Sequence, residues 1–121
     1  MASQQLNDSL EPDVLNVLEP DEVLQARARA REAVLAVSDR RLIVAARKRV
    51  TLSVGFHELR RIQFDIERDR PATMVIVPEE AHHEPQVLAI PPQEFKAAAE
   101  LLALIGHRLA RFEQESTEAD A

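Results

Sequence analysis

Ala-Val-Leu-Ala-Val-Ser-Asp-Arg-Arg-Leu-Ile-Val-Ala-Ala-Arg, residues 33–47, is the stretch whose reading decides the fold. Two apolar runs, 33–37 and 42–46, flank a polar break at 38–41. Valine, leucine and isoleucine fill the runs, and Ser38-Asp39 is turn chemistry, so the stretch predicts a β-hairpin. Each run is apolar on both faces, as strands are in the middle of a covered or closed sheet.

Outward from this hairpin the period stays at two. Leu24, Ala26, Ala28 and Ala30 alternate with Gln25, Arg27, Arg29 and Arg31, which predicts a half-buried strand with an arginine ladder on its outer face. Val50, Leu52, Val54 and Phe56 alternate with Thr51 and Ser53. The phase breaks over 57–61 and resumes at Ile62, Phe64 and Ile66, so a turn or bulge there swings the chain into a second sheet. Arg68-Asp69-Arg70-Pro71 reads as a hairpin loop, 73–77 and 86–90 as the last two strands, and 79–85 as a polar loop. A helix follows over 93–112, with Phe95, Ala98, Ala99, Leu102, Ile105, Leu109 and Phe112 as its buried face. Ahead of the strands, Pro12 suits the first turn of a short helix over 12–18, in which Val14, Leu15 and Leu18 form an apolar stripe. Three parts result: an acidic segment with a short helix at 1–17, one domain over 18–112, and an acidic tail over 113–121 read as disordered.

Seven short strands and one long amphipathic helix is the order of a pleckstrin-homology-like barrel or sandwich. The residues also resemble the YokE-like bacterial branch of that superfamily. Leu18-Glu19-Pro20-Asp21-Glu22-Val23-Leu24 is similar to its Leu-x-Pro-x-Glu-x-(Ile/Leu) opening. Leu35-Ala36-Val37-Ser38-Asp39-Arg40-Arg41-Leu42-Ile43 resembles its Leu-x-(Leu/Val)-Thr-(Asp/Asn)-x-Arg-Leu-Ile stretch, and 53–62 resembles Ser-Ile-Pro-(Tyr/Phe)-x-x-Ile-x-x-(Ile/Val). Ser38 stands where Thr is usual, Gly55 where Pro is common, and Glu32-Ala33 where a glycine is usual. The resemblance implies a mainly β, PH-like seven-stranded domain capped by a C-terminal helix. It further implies a binding or scaffolding role, often with self-association, and carries over no catalytic residue.

The chain has 121 residues, which suits one domain that buries about 65% of its unfolded surface without a metal or disulfide. It holds no cysteine, so disulfide scaffolds, thiol catalysis and Cys-ligated zinc are excluded. No signal peptide and no spanning apolar run is legible, and a cytoplasmic location is the expectation. The net charge is −6, unevenly spread. Residues 1–22 hold six acids and 112–121 four, with no Lys or Arg in either, leaving eleven acids against all fifteen cations in the body. Such ends aid solubility, and the alternative is that they fold back over the basic body and mask it.

Candidate sites divide into two. Arg29, Arg31, Arg47, Lys48 and Arg49 lie on loops expected at one barrel mouth, where they could hold an anionic ligand or lipid headgroup, against Glu79, Glu80 and Glu84 on a third loop. Ala97, Leu101 and Leu104 form a second apolar strip on the last helix, beyond the one face a capping helix needs, and read as a contact with a second copy or another protein. Arg41 is expected in an ion pair with Asp65 or Glu67. The pair His82-His83 lacks metal-ligand spacing, so neither a metal nor a cofactor is assigned. With two glycines and no nucleophile–base set, no enzyme is assigned. Nucleic acid is disfavoured for want of an aromatic stacking platform, and membrane contact is weak in a net acidic chain. The sequence therefore supports a non-enzymatic interaction module, homo-oligomeric or bound to a protein, with anion binding at the rim as the alternative.

Overall fold

The computed structural model describes residues 17–46, 49–81 and 83–120, the last nine by backbone alone. Four strands form one antiparallel sheet in the order β1-β2-β3-β4: β1 (Leu24–Arg29), β2 (Val34–Ser38), β3 (Arg41–Ala46) and β4 (Arg49–Gly55). Three more form a second, in the order β5-β6-β7: β5 (Leu59–Asp65), β6 (Ala72–Pro78) and β7 (Gln86–Ile90). Residues 34–46 form the hairpin of β2 and β3, paired from Val34–Ala45 to Val37–Leu42.

Both faces of that hairpin are buried, as the unbroken apolar runs require. Leu35, Val37, Leu42 and Val44 face the space between the sheets and meet Met74, Ile76 and Ile90 of the second sheet. Val34, Ala36, Ile43 and Ala45 face outward and form a separate apolar cluster with Val17, Leu18, Leu24 and Val50. A register shift between Val44 and Ala45 turns Val50 out of the β4 alternation and into this outer cluster.

The broken phase at 57–61 is where the chain changes sheets. A 3-10 turn, Phe56–Glu58, links β4 to β5, and a register shift lies between Leu59 and Arg61. Gly55 precedes this turn with an ordinary extended backbone. Its lack of a side chain matters for space, since a Cβ would lie 2.9 Å from the His57 ring. The 68–71 loop turns through Asp69 at φ 64°, a left-handed conformation that aspartate tolerates.

The C-terminal helix, α1 (Phe95–Asp120), follows a 3-10 turn at Pro92–Glu94 and packs chiefly along β1 and the 56–58 turn. Its N-terminus is pinned by Phe95, whose ring meets Phe64 of β5 edge to face, with centroids 5.9 Å apart. The backbone stays helical to Asp120, past the end expected at Phe112, because no Gly or Pro interrupts 113–120. Residues 12–16 of the expected N-terminal helix lie outside the described residues.

The buried face of α1 is broader than, and rotated from, the one read in sequence. Ala98, Leu101 and Ile105 are fully buried at its centre, with Phe95, Ala97, Leu102, Leu104 and Leu109 packed around them. Ala99, assigned to the buried face, is exposed. A helix wedged at the edge of two sheets meets protein over a wider arc than a helix lying on one flat sheet, and it needs more apolar positions.

Candidate functional site

Two polar constructions stand at opposite ends of the first sheet. The first is a closed clasp. Glu22, in the lead-in to β1, has a side chain with no exposure. Its carboxylate accepts both arms of the Arg41 guanidinium, Nε at 2.9 Å and Nη2 at 2.7 Å. The Ser38 hydroxyl donates to it at 2.5 Å and the Glu19 amide at 3.0 Å. Arg41 spends its remaining donors on the Ser53 hydroxyl at 3.1 Å and the Val17 carbonyl at 2.5 Å. Ser38 Oγ in turn accepts the amides of Arg40 and Arg41, which shapes the β2–β3 turn.

This arrangement holds the Glu22 carboxyl down at about 2, because Arg41 bonds it directly and Ser38 and the Glu19 amide add donors, outweighing burial. It also corrects the pairing expected for Arg41. Position 41 projects from the outer face of the first sheet, beside Ser38 and opposite Gly55, and Asp65 lies in the other sheet. Asp65 accepts instead from Gln63 at 2.8 Å, and Glu67 lies 3.9 Å from Arg70. Outside the clasp, Arg40 reaches Asp21 at 2.6 Å on the surface, and the Asp39 carboxylate accepts the Val23 amide at 2.9 Å. The clasp is structural, fastening the lead-in segment to the hairpin.

The second construction is a cleft of about 540 Å3 between the edge of β4 and the edge of β7. Ala30, Ala33 and Ala46 keep it open by their small size, and Leu88 makes its apolar wall. Arg31 and Arg49 line it as cations, with Glu32 as the acid in its lining. At one end Thr51 Oγ1 lies 3.3 Å from Gln86 Oε1 and 3.2 Å from the Val44 carbonyl. At the other end the Arg31 amide donates to the Ala89 carbonyl at 2.9 Å, so the β1–β2 turn touches the outer edge of β7. In an antiparallel ladder, positions two apart face the same edge, so Val87 also turns its amide and carbonyl outward. The Val87 side chain is 68% exposed.

Three of the five predicted rim residues are therefore described, and they are neighbours. Arg31 and Arg49 line the cleft, and Arg29 joins Arg31 in a smaller adjoining hollow of about 220 Å3. The Arg29 amide donates to Glu94 at 2.7 Å, tying the end of β1 to the turn before α1. Arg47, Lys48 and His82 lie outside the described residues. Glu79, Glu80 and Glu84 do not line the cleft, and the Glu79 amide is bound to the Glu58 carbonyl near the sheet-changing turn.

The second predicted surface is used within the chain itself. Leu101 is fully buried, and Ala97 and Leu104 pack against the same inter-sheet core. The strip offered for a partner is part of the face that closes the domain. Among the described residues, no group of three or more metal-ligating side chains comes together. None of their helices is long and apolar enough to cross a membrane.

Two stacked antiparallel sheets of four and three strands, closed by a C-terminal helix, define a pleckstrin-homology-like fold. The chain is similar to the crystal structure of a pleckstrin homology domain from Shewanella amazonensis SB2B, with a TM-score of 0.57 over 90% of this chain and 96% of that one, at 17% sequence identity. At that identity the likeness is one of fold. No protein-family model and no curated protein matches the chain by sequence.

Proposed function

We propose that the chain is a non-enzymatic binding module that takes an extended acidic segment of another protein into the cleft between β4 and β7. The cleft itself carries this reading: an open strand edge at Val87, an apolar wall at Leu88, and two guanidinium groups at Arg31 and Arg49. An added strand gains main-chain hydrogen bonds from such an edge, and alternate side chains would meet the cations. Self-association through Ala97, Leu101 and Leu104 is set aside here, because those side chains already pack within the domain.

A Glu-Val alternating octapeptide titrated into the isotope-labelled full chain tests the reading. Amide shifts should concentrate on β7 and the start of β4, weaken with salt, and vanish in the double variant Arg31→Glu/Arg49→Glu. Shifts that persist in the double variant, or none at all, would overturn it. Binding of phosphatidylserine vesicles in place of the peptide, lost in the same variant, would reassign the cleft to a lipid headgroup.

A further inference from the structure

We infer that the cleft between β4 and β7 reads a chain end: the free C-terminal carboxylate of the acidic segment sits at Arg31, and the last residues lie parallel to β7. This rests on the binding reading above and deepens it, naming which part of the partner is held and in which direction.

The open edge of β7 is short. Ala89 presents its carbonyl outward, and the Arg31 amide already occupies it at 2.9 Å. Two positions back, Val87 turns both backbone groups the same way. Two positions further back stands Pro85, just before β7, which has no N–H to give. Val87 therefore offers the one complete donor and acceptor pair on this edge. From Gln86 to Ala89 the strand covers about 10 Å. In a parallel ladder the N–H and C=O of one residue bond the positions on either side of its opposite number, so Val87 alone engages three residues.

The two ends of the edge differ. At the Ala89 end the β1–β2 turn lies across it, and a chain running through would have to climb over that turn. A chain that stops there meets no such obstacle. At the Gln86 end the contact with β4 is made by side chains, Thr51 Oγ1 to Gln86 Oε1 at 3.3 Å, and among the described residues no backbone bond from another element closes β7.

Charge selects the terminus. Arg31 lines the cleft from the closing turn itself, and its guanidinium has no hydrogen bond or ion pair among the described residues. Arg29 lines the adjoining hollow of the same turn, and Glu32 is the acid in both linings. Two cations against one acid attract a carboxylate and repel an ammonium group. A guanidinium can take a carboxylate through two parallel N–H donors. Leu88, Ala30, Ala33 and Ala46 leave room beside it for an apolar last side chain, and Arg49 remains for an acidic side chain further back. Because β7 runs from Gln86 towards Ala89, a chain ending at the turn runs parallel to it.

Two acetylated Glu-Val octapeptides, one ending in valine with a free carboxylate and one in valine amide, test this by calorimetric titration into the full-length protein. The free acid should bind about tenfold tighter or more, as a charge-assisted hydrogen-bonded contact gives. Arg31→Gln should bring the two affinities together, whereas Arg49→Gln should weaken both and keep their ratio. Arg31 is exposed, so its variant should unfold thermally like the parent. Equal affinities in the unaltered protein, or a ratio untouched by Arg31→Gln, would overturn the chain-end reading and leave the acidic-segment reading standing. Binding of neither peptide would overturn both. An unacetylated amide peptide that binds tighter than its acetylated form would put the amino terminus at Glu32 and overturn the inference equally.

Discussion

Arginine is used in two opposite ways at the two ends of the first sheet. At the closed end Arg41 is 22% exposed and places its three guanidinium nitrogens on Glu22, Ser53 and Val17. At the open end the Arg31 and Arg49 side chains line a cleft, with no hydrogen bond or ion pair to them among the described residues. The difference lies in what surrounds the guanidinium. Where a buried carboxylate and a hydroxyl converge, the cation becomes part of the scaffold. Where small alanines leave space, it remains available to an outside group. Structural and recognition roles of one residue type therefore separate by local satisfaction, and each can be broken independently.

The largest effect belongs to the closed end. Arg41→Ala leaves the buried Glu22 carboxylate without its principal partner, and removing one member of a buried pair costs about 3–5 kcal/mol. Chemical denaturation of the variant should show the midpoint shifted accordingly, with little change in slope. A loss under about 1 kcal/mol would mean the clasp is ornamental and would erase the contrast.

Next comes acid. The Glu22 carboxyl is lowered from 4.5 to about 2 in the folded protein. As pH falls below 4.5 the unfolded chain takes up the proton first, so stability drops progressively and levels off below about 2. The shift corresponds to on the order of 3 kcal/mol across that window. Glu22→Gln removes the titration: the variant is less stable at neutral pH, and its stability should run flatter from pH 4.5 to 2. Urea titrations at a series of pH values measure both curves, and parallel curves would place the titrating group elsewhere.

Ser38→Ala is smaller. It removes a donor to Glu22 and the acceptor of the Arg40 and Arg41 amides, but Arg41 still holds the carboxylate. A cost of about 1–3 kcal/mol is expected by thermal or chemical unfolding. Ser38→Thr keeps the hydroxyl and should retain more of the stability.

How much of this was legible follows the range of the interactions. Local patterning was readable: alternation located the strands, the polar break at 38–41 located the hairpin turn, and the lost phase at 57–61 located the change of sheet. The nearness of Arg29, Arg31 and Arg49 was also readable, because consecutive hairpins bring their turns together, while their use as a binding rim belongs to the proposal. The Glu22–Arg41 pair was not. Its members lie nineteen residues apart and meet only when the lead-in segment crosses the hairpin. Both stood within the motifs compared with the bacterial PH pattern, and that co-occurrence was the signal available. The α1 face was half readable. A wheel centred on Phe95, Leu102 and Leu109 makes Leu101 and Leu104 look like surplus, but the helix meets two sheets at once and consumes them all.

The smallest stability effect and the most discriminating one belong to the open end. Arg49 borders the cleft from an exposed position on β4. Arg49→Glu should therefore change unfolding stability by less than about 0.5 kcal/mol, as surface substitutions away from buried networks do. The same change reverses the charge an acidic segment would meet, so octapeptide binding should fall at least tenfold while Arg49→Lys keeps much of it. Arg41→Lys should do the reverse, costing stability through the lost bidentate fork and leaving peptide binding intact. If Arg49→Glu instead unfolds the protein, the open end is scaffold like the closed one, and the two uses of arginine collapse into one.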